Sequence, residues 1–145
     1  MTQYVDFNAL EVGDPLPPLA KNPITKVQLV RYAGASGDFN PLHTDDSVAQ
    51  KGGMKGGMKG VIAQGILIMG FMGQAISGWV KKRDLKRFKV RFMGMTYPGD
   101  VITVKAVVKE KKETEKGLFV LCNTLAEDQN GETKVSGEFE VMQPF

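Results

Sequence analysis

Two hydrophobic periods divide the chain. From Thr25 to Ala35 the apolar residues Val27, Leu29, Val30, Tyr32 and Ala33 recur with helical spacing. Thr25 and Gln28 form a capping box at the start, and Gly34 and Gly37 punctuate the end. Asp45 or Asp46 is placed to cap a short helix through Gln50. Val61 to Val80 carries no charge and reads as a long helix, apolar on all sides, with its start expected near Gly65. From Arg87 the period changes to two. Phe88, Val90 and Phe92 point one way, and Arg87, Lys89 and Arg91 the other. Tyr97-Pro98-Gly99-Asp100 is a turn. Ile102 to Val108, Leu118 to Ala126 and Val135 to Val141 follow as strands, with a hairpin turn at Asn130-Gly131.

Helices come first and antiparallel strands follow, which predicts an α+β domain with helices on one face of a sheet. A long helix without a polar face must be wrapped, and a strongly curved sheet can do that. The proline-rich stretch before Thr25 reads as an extended lead-in with one short strand. The length of 145 residues suits one domain, 1–145, that can complete itself by oligomerising.

Composition narrows the partners little. The formal charge of +3, with 42% hydrophobic and 24% charged residues, is ordinary for a soluble protein and selects neither nucleic acid nor lipid. Val61–Val80 is long enough to span a bilayer. Gln64, Gln74, Ser77 and its four glycines favour a buried helix of a soluble protein, so no membrane partner is expected. The N-terminus has no basic region followed by an apolar run, and a cytoplasmic location is expected. The lone Cys122 excludes an internal disulfide and sits in an alternating strand as a small buried residue.

Two motifs invite chemistry. Residues 52–60 repeat Gly-Gly-Met-Lys, but no Gly-Lys dipeptide occurs and no Ser or Thr stands at phosphate-loop spacing. A flexible loop is the plainer reading. The second motif, Ser36-Gly37-Asp38-Phe39-Asn40-Pro41-Leu42-His43, holds the only histidine. No metal is expected there: a calcium loop starting at Asp38 has His43 at its glycine position and Ala49 at its glutamate position, and one imidazole without thiolates does not make a zinc site. The Gly-x-Ser-x-Gly elbow of a serine hydrolase is absent around Ser36. On spacing alone, a lone histidine after a proline turn more often serves the turn than acid–base chemistry.

Residues 32–43 together with Ile62-Ala63-Gln64-Gly65-Ile66-Leu67 closely resemble the MaoC-like family, which includes (R)-specific enoyl-CoA hydratases and 3-hydroxyacyl-thioester dehydratases. The resemblance covers nearly the whole chain. It implies a hot-dog fold, a sheet wrapped around one long helix, that pairs into dimers with active sites near the interface. It implies reversible hydration of trans-2-enoyl thioesters without a cofactor, on a substrate carried by coenzyme A or an acyl-carrier protein. Asp38 and His43 would be the catalytic pair. Asn40 and Ser36 would support them or position the water, and the Gly65 backbone N–H would hold the oxyanion. A thioesterase, or a non-catalytic acyl-thioester-binding subunit of a heterodimer, is the alternative. Two departures from the family pattern stand out: Gln64 where histidine is common, and the Gly-Gly-Met-Lys duplication, which lengthens the loop before Gly65. The basic run Lys81 to Arg91 is a candidate for coenzyme A phosphates or an acidic carrier, or else a solvated strand face.

Overall fold

The computed structural model describes residues 4–52 and 58–145; most of the duplicated Gly-Gly-Met-Lys loop lies outside them. Three helices precede a run of four long strands. They are α1 (Lys26–Ser36), α2 (Asp46–Lys51) and α3 (Gly65–Trp79), with a 3-10 turn at Pro41–His43 between α1 and α2. A two-residue strand β1 (Leu19–Ala20) comes before them, and β2 (Leu85–Phe92), β3 (Thr103–Thr114), β4 (Gly117–Glu127) and β5 (Thr133–Gln143) come after. The strands form one antiparallel sheet in the order β1-β3-β4-β5-β2.

The sheet alternates as its sequence does. Val104, Ala106 and Val108 of β3, Val120 and Cys122 of β4, and Val135, Phe139 and Val141 of β5 are buried toward α3. Burial pushes the Cys122 thiol up to about 12, so it packs as a hydrophobe. From α3 the residues Leu67, Ile68, Phe71, Met72, Ala75, Ile76 and Trp79 meet the sheet. Each full burial of this kind contributes about 1.5–3 kcal/mol. Trp79 stacks on Phe139, and its Nε1–H donates to the Pro17 carbonyl, which ties the lead-in to the helix.

α3 begins at Gly65, where its start was expected, and residues 61–64 before it are extended. It differs from its sequence reading in that it is not enclosed on every side. Ile66, Gly70, Gln74 and Ser77 are exposed, so the sheet covers one broad face and the small and polar residues lie opposite. Among the described residues, no helix is long and apolar enough to cross a membrane.

The sheet's two edges differ. Residues 13–24 run along β3: Gly13, Asp14 and Leu16 bond to its backbone, and Lys21 N–H donates to the Ile102 carbonyl just before it. β2, eight residues long, pairs with β5 on one side only. At Gly137 the two strands approach so closely that an added Cβ would lie 2.3 Å from the Lys89 carbonyl oxygen. The β4–β5 connection is wider than a two-residue hairpin. The Asp128 carboxylate accepts the Asn130 and Glu132 N–H groups, and Gly131 takes φ +78°.

Candidate active site

The signature segment is shaped by short side chains bonding to nearby backbone. Thr25 caps α1 by accepting from Gln28 N–H, and Gly37 ends it in the left-handed conformation with φ 76°. Ser36 Oγ donates to the Tyr32 carbonyl at 2.7 Å and accepts the Asp38 N–H at 3.2 Å. Asp38 Oδ1 accepts the Asn40 N–H at 3.3 Å, and Asn40 Oδ1 accepts the Leu42 N–H at 3.1 Å. Each step is a local polar turn of the kind these residues favour. Ser36 and Asn40 therefore shape the backbone that carries Asp38 and His43. Pro41 starts the 3-10 turn that presents His43.

His43 and Asp38 come together. Nε2 of the imidazole lies 3.4 Å from Asp38 Oδ2, with the His43 side chain 11% exposed and that of Asp38 44% exposed. The other ring nitrogen, Nδ1, lies 2.7 Å from the Ile62 carbonyl oxygen. A carbonyl only accepts, so Nδ1 carries a proton and donates it. In the neutral ring, Nε2 is then the unprotonated nitrogen and faces the carboxylate. Such a tautomer lock readies Nε2 to take a proton.

Ile62 lies three residues before Gly65, and its segment is tied at every position. Val61 N–H donates to Asp46 Oδ1 at 2.9 Å, Ile62 N–H to the Leu42 carbonyl at 3.1 Å and Ala63 N–H to the Thr96 carbonyl at 2.8 Å. Gln64 Nε2 donates to the Leu29 carbonyl at 3.1 Å. Asp46, which also pairs with Lys26, is held below the usual carboxylate range by that side-chain bond and by the Val61 N–H. Gly60 allows the approach: a Cβ there would stand 2.7 Å from Asp46 Oδ1.

Gly65 is the first residue of α3, and among the described residues no acceptor meets its N–H. A helix N-terminus with a free donor suits a developing anion. The Phe92 ring packs over Gly65, so an added Cβ would lie 3.0 Å from two ring carbons. Phe92, Met93 and Ile66 are all more than half exposed. A groove of about 600 Å³ opens elsewhere, across β2, β4 and β5, and includes none of Asp38, His43 or Gly65.

This polar turn, its neighbouring helix start and the sheet behind them are matched by a known family. The model of the MaoC-like domain fits residues 8–129. The chain belongs to the MaoC-like family. A peroxisomal hydratase-dehydrogenase-epimerase of Neurospora crassa is 32% identical over 122 residues, covering 76% of this chain and 13% of that protein. A probable enoyl-CoA hydratase 2 of Dictyostelium discoideum is 28% identical over 118 residues, 74% of this chain and 39% of that protein. The MaoC-like chain thus spans a minor part of these curated relatives. The R-hydratase PhaJ1 of Pseudomonas aeruginosa, solved unliganded, aligns with a TM-score of 0.77 at 29% identity, over 94% of this chain and 84% of that one. The shared architecture is the hot-dog fold expected from the sequence.

The MaoC-like chain spends much of its basic run on ion pairs. Arg87 meets Glu140 at 3.6 Å and Lys89 meets Glu138 at 2.9 Å across the β2–β5 ladder, and Lys86 Nζ donates to the Arg83 carbonyl. Lys81, Lys82 and Arg91 make no ion pair among the described residues. No cluster of three His, Cys, Asp or Glu side chains able to hold a metal occurs among the described residues. Three contributors escaped sequence reasoning: the Ile62 carbonyl, the Thr96 carbonyl and the Asp46 carboxylate. A backbone acceptor carries no residue-type signal, and Asp46 reads only as a helix cap.

Proposed function

We propose that this chain adds water across the C2–C3 double bond of trans-2-enoyl thioesters to give (R)-3-hydroxyacyl thioesters, and catalyses the reverse dehydration. The observation that carries this reading is the His43 tautomer lock. With Nδ1–H fixed on the Ile62 carbonyl, Nε2 faces Asp38 Oδ2 across 3.4 Å, a gap suited to handling one water and one proton. The step requires the pair to begin with one proton, on Asp38. In hydration, His43 Nε2 takes a proton from the water as its oxygen bonds to C3. The electron pair of the double bond shifts toward the thioester oxygen, and the Gly65 N–H donates to that oxygen. Asp38 delivers a proton to C2, and the proton on His43 returns to Asp38 across the gap. The sum is H and OH added to the alkene. A donor such as the Gly65 N–H is worth about 3 kcal/mol of barrier, and a positioned base about 10²–10⁴ in rate.

The likeness to an R-hydratase and to an enoyl-CoA hydratase supports the substrate class and the stereochemistry. A homodimer accompanies this reading. β2 leaves eight residues of edge backbone unpaired, whereas the opposite edge is covered by residues 13–24. An edge of that length invites pairing with another strand. A second copy aligned on β2 would cover Phe92 and Met93 beside Gly65 and exclude water from the oxyanion donor.

The test is incubation with crotonyl-CoA, following loss of the enoyl thioester, chirality of the product and release of free thiol. Formation of (R)-3-hydroxybutyryl-CoA with the thioester intact is expected. Free thiol would instead identify a thioesterase. Binding without turnover would identify a non-catalytic subunit.

A further inference from the structure

Gln64 stands where the two halves of the site meet. It occupies the N-cap of α3, yet its side chain makes no cap bond. It turns inward, is 1% exposed, and its Nε2 donates to the Leu29 carbonyl inside α1. Leu29 itself is fully buried. α1 ends at Ser36 and leads directly to Asp38, while the residue after Gln64 is Gly65. One amide therefore bridges the helix that delivers the carboxylate and the helix that delivers the backbone donor.

The amide is costly where it sits. Gln64 Oε1 is buried and has no hydrogen-bond partner. An apolar side chain of similar size would avoid that penalty, so stability alone does not favour glutamine here. What the amide adds is direction. The Gln64–Gly65 peptide is held at its carbonyl by the Leu67 N–H at 3.0 Å, and the side-chain donor aimed at a fixed helical carbonyl adds a tie from the same residue to α1.

We infer that Gln64 is a positioning residue: its bond to Leu29 orients the Gly65 N–H relative to Asp38 and His43. The inference rests on the hydratase reading for its kinetic consequence, but its structural part is measurable without substrate. Gln64→Met keeps the volume and removes the donor. Gln64→Asn keeps an amide too short to reach Leu29. Gln64→His supplies a ring N–H that can replace the donor.

Gln64→Met should match or exceed the parent in melting temperature, and Gln64→Asn, which buries an amide with no partner, should melt lower while remaining folded at assay temperature. Each should lower kcat for crotonyl-CoA about tenfold while KM stays within about twofold, since a misdirected donor is felt mainly in the transition state. Gln64→His should recover kcat to within about threefold. In ¹⁵N-labelled protein without substrate, the Gly65 amide resonance should move in Gln64→Met and Gln64→Asn and return toward its parent position in Gln64→His. An unmoved Gly65 resonance in a folded donor-loss variant overturns the inference. So does unchanged kcat in such a variant, or a Gln64→His protein as impaired as the other two. Absence of turnover in the parent protein would overturn the hydratase reading alone, and the resonance would still decide the positioning role.

Discussion

The oxyanion role proposed for Gly65 can be tested with two substitutions at that one residue. Gly65 is the first helical residue of α3, a position where proline is tolerated because its missing N–H has no intrahelical acceptor. The preceding Gln64 has φ −60° and ψ 130°, which a following proline also accepts. Gly65→Pro therefore deletes the proposed donor with little harm to the helix. Both proline and alanine bring a Cβ to within 3.0 Å of the Phe92 ring, so Gly65→Ala reproduces the Cβ demand and keeps the N–H, whereas the proline ring puts Cδ where the hydrogen stood. Phe92 is 51% exposed and can yield. The difference between the variants then reports exchange of the donor for a Cδ that cannot donate. Losing one oxyanion donor costs about 10²–10³ in kcat, or about 2.7–4 kcal/mol of barrier. The melting temperatures should differ by only a few degrees, because proline at a compatible site changes stability by about 0.4–1 kcal/mol. Crotonyl-CoA hydration and a thermal melt on both proteins supply the measurements. Equal kcat in folded Gly65→Pro and Gly65→Ala would refute the assignment.

Three other perturbations test separate parts of the structure. His43→Asn places an amide N–H near the position of Nδ1 but removes Nε2, so kcat should fall by about 10²–10⁴ while the loss of stability stays near 1 kcal/mol; a protein still turning over within fivefold of the parent by about that margin would remove His43 from the chemistry. Gly137→Ala puts its methyl 2.3 Å from the Lys89 carbonyl oxygen, so β2 must shift from β5 and stability should drop by about 3 kcal/mol or more, read as an early denaturation midpoint. The Asp46 carboxyl is held below its ordinary value of 3.8 by the Lys26 side chain and the Val61 N–H, so it stabilises the fold above that value and the contribution is lost as pH falls through the lower folded value; urea midpoints across this window should decline less steeply in Asp46→Asn than in the parent.

What was legible in the sequence was local. The Thr25 cap, the period-two strands and the Asn130-Gly131 turn depend on residues a few positions apart, and each is present. The pairing of Asp38 with His43 was legible for the same reason, since one turn carries both. The start of α3 near Gly65 was legible too, but not what holds the residues before it: the backbone of 61–64 is drawn out by partners 15 to 35 positions away at Asp46 and Leu29. The open face of α3 was hidden by averaging: a segment without charge reads as apolar all round, although Gly70, Gln74 and Ser77 fall on one side. The basic run was ambiguous because its answer lay in strand register. Glu138 and Glu140 come opposite Lys89 and Arg87 only once β2 and β5 are paired.

The same long-range ties explain why a lengthened loop need not disturb the site. A four-residue insertion between His43 and Ile62 adds on the order of a few tenths of a kcal/mol to closure, because that cost grows only with the logarithm of length. Against it stand the bonds that hold the returning segment: Val61 to Asp46, Ile62 to both Leu42 and His43, Ala63 to Thr96 and Gln64 to Leu29. Each is worth about 1 kcal/mol. Their sum exceeds the added closure cost several times over, and they reach separate elements of the fold. The place of Gly65 relative to His43 is therefore set by residues 61–64, and the part of the repeat at 53–57, outside the described residues, can differ in length without moving it. In that view the His43–Ile62 bond does two things at once: it fixes the tautomer that leaves Nε2 unprotonated in the neutral ring, and it anchors the segment that carries Gly65.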